Sequence, residues 1–485
     1  MTETETAIFQ PGAAGRGQTL QTQIAARFAQ QIHAQLLAQG SRLPSVRACA
    51  RQQGVSPQTV VAAYDLLQAQ GLVEARPKRG FFVRTPRHQP PVVAAQAGPP
   101  PLPTHATALM RGMFAQMHAV GSPGLRGMPG AGTLPAAWLQ TPALTQAVRR
   151  LLRRDGVDAI SLEYGHPQGD PQLRDALCQL LAALDVRAQP GQIMTCMGAT
   201  QALDLITRAF ARPGDAVLVE QPGWSAQFAQ LAQSGLQLLP VPRGADGPDL
   251  ERVAHWARVR KPRLMVVVSR LHNPTGHSMS MVSAHRLLQL AREHGFLIVE
   301  DDVYGPLCEQ PSPLLSAMDA LEHTLFISGF SKLLAPGWRV GMVAASRERI
   351  ERLTDQKLLA NLTSPVLTER AVAFLLNQGA LRRQGQHLRE RLARARKQAV
   401  RLALESGCRF ESPPQGLFGW LDTGVDADLL AQRLLDRGYL LAPGRLFDPQ
   451  GMSTTRMRLN FPHALDAAFW KAYAAETAAL RKSRG

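Results

Sequence analysis

Lys332 stands in Ser328-Gly329-Phe330-Ser331-Lys332-Leu333, directly after the apolar run Leu325-Phe326-Ile327. That run reads as a buried strand, which sets the lysine at a strand's C-terminal end, where open α/β sheets gather ligands. An amine held there with a lowered pKa can form a Schiff base with an aldehyde. A loop lysine alone is usually just solvated. Three further segments change that reading. Asn273-Pro274-Thr275-Gly276 follows the strand-like run 264–268, Asp301-Asp302-Val303-Tyr304 follows the run 296–299, and Gly198-Ala199-Thr200-Gln201 opens a helical pattern after Ile193-Met194-Thr195. All lie at one edge of a predicted parallel sheet.

In order and spacing, these four segments resemble the pyridoxal 5′-phosphate (PLP) site of fold-type I aminotransferases. The resemblance implies that Lys332 holds the PLP aldehyde and that Asp301 pairs with the pyridinium nitrogen. A fixed carboxylate there keeps that nitrogen protonated. Asp302 is the alternative partner, otherwise a capping or solvated neighbour. Asn273 and Tyr304 would donate to the ring's phenolic oxygen. The backbone of Ala199, Thr200 and Gln201 would cradle the phosphate at a helix start, with Ser331 and Arg339 beside it. Trp224, in Gln221-Pro222-Gly223-Trp224, matches the aromatic that stacks on the ring; without the resemblance it reads equally well as packing. Tyr164 matches a tyrosine that reaches the neighbouring subunit's phosphate, which implies a homodimer. Arg458, in the alternating segment Arg456-Met457-Arg458-Leu459-Asn460-Phe461, matches the arginine that clamps a substrate or effector carboxylate. One departure is Gly329, where the family often has a phosphate-binding hydroxyl; Ser328 or Ser331 could substitute.

The elements that must carry these residues fill the long C-terminal part of a 485-residue chain, enough for several domains. Seven prolines fall between residues 86 and 103, so that stretch reads as a semi-rigid linker. The expected division is 1–85, a linker 86–105, and 106–485. Within the last, a large subdomain is expected over about 165–360 and a small one from the flanks.

Upstream of the linker, Ile24, Phe28, Ile32 and Leu36 recur at helical spacing, with Gly40 ending the helix. Ser45 is the expected N-cap of a second helix, Gly54-Val55 a tight turn, and Ser56-Pro57 the start of a third with Val60, Tyr64 and Leu67 inward. Two short strands, at 72–74 and 81–83, then flank Arg76-Pro77-Lys78-Arg79-Gly80. This is a winged helix-turn-helix plan. The segments Arg42-Leu43-Pro44-Ser45, Gly54-Val55-Ser56, Thr59-Val60, Tyr64 and Gly71-Leu72-Val73 make it similar to the GntR family of bacterial repressors. The resemblance implies duplex operator DNA as partner, with Arg47, Ser56, Gln58 and Thr59 facing it and Lys78 and Arg79 on the wing. Pro57 departs from the arginine often found after the turn serine, which shifts base readout toward Gln58 or Arg47. A helical adaptor is the plain alternative.

Residues 1–90 carry ten Lys/Arg against four Asp/Glu, and the whole chain has a formal charge of +17, which suits a nucleic-acid partner. Five scattered cysteines show no metal spacing and read as reduced thiols. No apolar run approaches the roughly 18 residues of a membrane span. The first ten residues lack the basic start and apolar core of a signal peptide, so a cytoplasmic location is expected.

The expected fold is thus multidomain: an N-terminal, mainly α winged helix-turn-helix plus an α/β fold-type I aminotransferase domain. That pairing resembles the MocR subfamily of GntR-type regulators, in which the large domain senses PLP, a small amino compound that condenses with it, or both. The rival is a working PLP-dependent aminotransferase with an accessory DNA-binding module.

Overall fold

The computed structural model describes residues 19–33, 37, 40–76, 79–84, 126–139 and 142–482. The described residues fall into two units, one before and one after residue 125. The expected linker and Lys78 lie outside the described residues, as does Leu36.

In the first unit, α1 (Leu20–His33), α2 (Val46–Gln53) and α3 (Pro57–Ala69) precede a hairpin of β1 (Val73–Arg76) and β2 (Gly80–Val83). Local sequence fixes each boundary. Ser45 caps α2 by accepting from the Ala48 N–H at 3.2 Å, and Gly54 closes it at a left-handed φ of 65°. Ser56 caps α3 by accepting from the Thr59 N–H, with Pro57 in the first turn. Val60, Tyr64 and Leu67 are fully buried against Ile24, Phe28 and Cys49. Tyr64 ties three elements together: its ring packs edge-on against Phe28 and Phe81, and its hydroxyl donates to Pro44 O at 3.0 Å. The hairpin pairs Val73 with Val83 and Arg76 with Gly80, which fixes the turn between them as the wing.

The second unit is built on an eight-stranded sheet of β3 (Ile193–Cys196), β4 (Ala216–Gln221), β5 (Gln237–Gly244), β6 (Gly247–Pro248), β7 (Leu264–Val267), β8 (Leu297–Asp301), β9 (Thr324–Gly329) and β10 (Gly341–Ala344). Their spatial order is β3-β10-β9-β8-β7-β4-β5-β6. The inner strands are near-continuous apolar runs because helices cover both faces of the sheet, leaving two apolar layers. The expected all-parallel sheet is corrected to a mixed one. β4, β5, β7, β8 and β9 run parallel, but β10 is antiparallel to both β9 and β3. The connection 330–340 returns directly beside the strand it leaves, and such a return produces antiparallel pairing. β3 therefore still ends at the same edge as β9.

A second, four-stranded antiparallel sheet contains β11 (Arg409–Phe410), β12 (Phe418–Asp422), β13 (Ala442–Pro443) and β14 (Arg456–Asn460), in the order β11-β12-β14-β13. The segment entering this unit joins that sheet. Gly127 bridges Tyr439, Gly130 N donates to Leu440 O, and Asn460 N donates to Pro129 O. Among the described residues no helix is long and apolar enough to cross a membrane.

Candidate functional site

The C-terminal ends of β3, β8 and β9, together with β14, bring the sequence-marked residues to one place. Lys332 follows β9, and its Nζ donates to Gly132 O at 2.7 Å and lies 5.5 Å from the Tyr304 ring centroid. Burial lowers its pKa to about 8; the Arg458 charge adds to that effect and Asp301 opposes it. Asp301, at the end of β8, is raised by burial to about 7, and its carboxylate accepts from the Val303 N–H at 3.1 Å.

Asp302 differs from the solvated or capping alternative. It is fully buried and its two oxygens take the Arg270 guanidinium in a bidentate pair, Nε to Oδ1 at 2.8 Å. That pairing occupies Asp302 and leaves Asp301 as the carboxylate facing the lysine.

Arg458 is 3% exposed on β14. Its Nη1 donates to Asn273 Oδ1 at 2.8 Å and its Nη2 to Gly130 O at 2.7 Å, while Nε has no partner among the described residues. The guanidinium lies between the rings of Phe418 and Phe447, 4.5 and 4.9 Å from their centroids. Burial lowers its pKa to about 10, so it remains a cation at neutral pH. Tyr304 packs edge-on against Phe418, and burial raises its pKa, so its hydroxyl stays neutral and able to donate.

The phosphate-reading residues gather at the start of the helix Ala199–Phe210. Gly198 is its N-cap at φ 84° and supplies no side chain. A Cβ there would stand 2.6 Å from Arg339 Nη2, so only glycine lets the guanidinium approach the helix start. Arg339 donates to Met197 O at 2.8 Å and to Ser331 Oγ at 3.4 Å. The first N–H groups of a helix have no intrahelical acceptor, which keeps Ala199 and Thr200 available for an anion. Gln201 is a correction: its N–H donates to Gly198 O and its side chain accepts from Met197 N, so its polar groups already serve the turn. Gly329 leaves no room for a larger residue, because a Cβ there would meet Val340 O at 3.3 Å.

Trp224 is half-buried at the N-cap of the helix Ser225–Gln233, on the loop after β4. Tyr164 is 81% exposed and stands outside the buried cluster. Sequence reading missed the glycine-rich turn 127–132, whose carbonyls hold both Lys332 and Arg458. A Cβ on Gly130 would fall 2.3 Å from Leu441 C, and that crowding is the reason for glycine there. The run Gly127-Met128-Pro129-Gly130-Ala131-Gly132 was a visible turn signal.

In the first unit, Arg47, Gln58 and Arg79 are exposed. Ser56 and Thr59 share a 2.8 Å hydroxyl contact as part of the α3 cap, so they serve the helix before any partner.

The two units define a class: a winged helix-turn-helix reader joined to an aminotransferase-like α/β domain. Residues 131–469 match the aminotransferase class I and II family, and residues 20–83 match the gntR family of bacterial regulatory proteins. The chain is 30% identical to the 2-aminoadipate transaminase of Thermus thermophilus over 342 residues, 68% of this chain and 84% of that one. It is 28% identical to the uncharacterized HTH-type transcriptional regulator YisV of Bacillus subtilis over 454 residues, 90% and 92% of the two chains. The crystal structure of α-aminoadipate aminotransferase from Thermus thermophilus, complexed with N-(5′-phosphopyridoxyl)-L-leucine, superposes with a TM-score of 0.67 at 25% identity, covering 73% of this chain and 93% of that one. The chain belongs to the aminotransferase class I and II family, and it is a GntR-type regulator of the MocR plan, with that domain fused behind the reader.

Proposed function

We propose that this protein binds operator DNA through its N-terminal unit and responds to PLP and a small amino compound at the Lys332 site. The observation that carries this reading is one chain holding both an exposed helix-turn-helix and an amine kept at a pKa of about 8 beside Asp301. The expected division, 1–85 for DNA, 86–105 as spacer and 106–485 for sensing, forms part of the proposal.

The donor set fits PLP, the cofactor of this family. When bound, PLP supplies an aldehyde for an amine and a ring that draws electrons from it. Lys332 offers the amine. Asp301 holds a proton at the ring nitrogen. Asn273 and Tyr304 flank the phenolic edge, and Trp224 covers a ring face. Ala199, Thr200, Ser331 and Arg339 hold the phosphate, with Tyr164 of the partner subunit completing it in a homodimer. Arg458 takes the carboxylate of the amino compound, its unpartnered Nε adding a donor. An effector acts by binding one state of the dimer more tightly than the other. The cell compartment that fits this role is the cytoplasm.

The test is reduction with borohydride after incubation with PLP, followed by peptide mapping. The label is expected on the peptide containing Lys332 and absent from Lys332→Ala. A label on another lysine would contradict the proposal. The second reading, a working aminotransferase, is favoured by the intact Arg458 fork; multiple-turnover amino transfer would support it.

A further inference from the structure

Behind the Asn273 turn lies a cavity of about 230 Å³ between the loops of the large sheet and the four-stranded sheet. Arg243 of β5 and His277 reach it from one side, Trp420 of β12 and Arg456 of β14 from the other. Lys332, Asp301 and Arg458 are not among its lining residues.

Three lining side chains each carry a buried nitrogen with no partner among the described residues: Arg243 Nε, His277 Nδ1 and Trp420 Nε1. Arg243 and Trp420 are each 8% exposed. The rest of the Arg243 guanidinium is committed. Nη1 bonds the Glu220 carboxylate and Val268 O, and Nη2 reaches His277 O at 3.5 Å. A guanidinium Nε–H and an indole N–H can only donate. His277 Nε2 lies 2.7 Å from Ser412 Oγ; with that hydroxyl donating, Nδ1–H becomes a third donor. Buried donors left unmet are costly, and folds keep them for a water, an ion or a ligand.

The charges limit what fits. Arg243 is balanced by Glu220, and Arg456 by Glu411. The space therefore asks for acceptor oxygens with little added charge. Its volume falls below the roughly 300–1,000 Å³ of drug-sized pockets. We propose that this cavity is a second small-ligand site and that it takes a small carboxylate, whose two oxygens accept from the three donors. The proposal goes beyond the reading of the Lys332 site and does not depend on it. The two sites share supports: Thr275 lines the cavity two residues from Asn273, and Trp420 is the cross-strand partner of Arg458. Phe447 packs against both the Trp420 ring, at 5.5 Å, and the Arg458 guanidinium.

The full-length protein loaded with PLP is titrated with difluoroacetate and followed by ¹⁹F NMR, at constant ionic strength in chloride. The site should broaden the resonance saturably, and acetate should reverse the broadening. Trp420→Phe keeps the ring and removes only the N–H, so it should weaken binding by about tenfold, the size of one hydrogen bond to a charged acceptor. His277→Phe should weaken it similarly, and gives an independent variant if the first misfolds. Absence of saturable broadening overturns the proposal, as does broadening unchanged in both variants. Broadening reversed by inorganic phosphate but not acetate overturns the carboxylate assignment. Loss of broadening in Arg458→Lys, with both other variants unaffected, moves the probe to the amino-compound site and overturns the proposal.

Discussion

Arg458 donates to Asn273 Oδ1 at 2.8 Å across 185 residues of chain, which joins the small sheet to the edge of the large one where Lys332 stands. The guanidinium is thus fixed before any carboxylate arrives, and little side-chain freedom is lost on binding. Lysine cannot copy the planar fork. Arg458→Lys should retain PLP and basal operator affinity, yet bind a carboxylate-bearing effector about 1.5–3 kcal/mol more weakly, roughly tenfold to hundredfold. Calorimetric titration of the PLP-loaded protein with amino acids checks this. Equal affinities in the two proteins would remove Arg458 from effector recognition.

The Lys332 amine, lowered to about 8 from the ordinary 10.5, is the group that must be neutral to attack an aldehyde. PLP association should accelerate with pH along a curve centred near 8. Asp301 raises the Lys332 pKa, so Asp301→Asn should move that midpoint further down. The same shift sets a stability trend. The folded pKa lies below the unfolded one, so between about 8 and 10.5 the unfolded chain binds more protons. Lys332 therefore contributes stability that rises with pH across that window, and Lys332→Met should flatten it. A midpoint near 10.5 would contradict the buried-amine account.

Arg47 and Arg79 are exposed on the reader and positioned to meet DNA phosphates. Replacing both with alanine should reduce the magnitude of the log-affinity against log-salt slope by about 0.9 for each phosphate left without its arginine. A gel-shift series across salt concentrations measures it. An unchanged slope and affinity would place the DNA elsewhere.

Tyr164, 81% exposed in the protomer, has a use if it enters a partner's site. Mixed dimers of Tyr164→Phe and Lys332→Ala subunits should then regain one set of intact PLP sites. Cofactor affinity that stays low in the mixture would show that Tyr164 acts within its own chain or not at all.

Features set by neighbouring residues were legible in the sequence. Ser45 and Ser56 announce their helices because capping is decided within three residues. The residues at the strand ends could be read in order because each follows its own apolar run. Strand direction could not be read, since a continuous apolar run is the same sequence in either orientation, and β10 shows the consequence. Contacts closed by tertiary packing were also hidden. Arg270 reaches Asp302 over 32 residues, and the Gly130 and Gly132 carbonyls meet Arg458 and Lys332 over 328 and 200. Gln201 shows the converse: its helix position was legible, but its use inside the turn depended on side-chain geometry.

The central claim is that the Lys332 site controls the reader. It is tested most directly by the affinity of the full-length protein for a duplex selected from a random pool, measured by fluorescence anisotropy with PLP and amino compounds present or absent. The account predicts that the wild-type affinity shifts when PLP and an effective amino compound are added together, and that Lys332→Ala, still folded and still bound to the duplex, does not respond. A wild-type affinity indifferent to PLP and to every amino compound, in a preparation that transfers amino groups over many turnovers, would contradict it and identify the protein as an aminotransferase carrying a DNA-binding module.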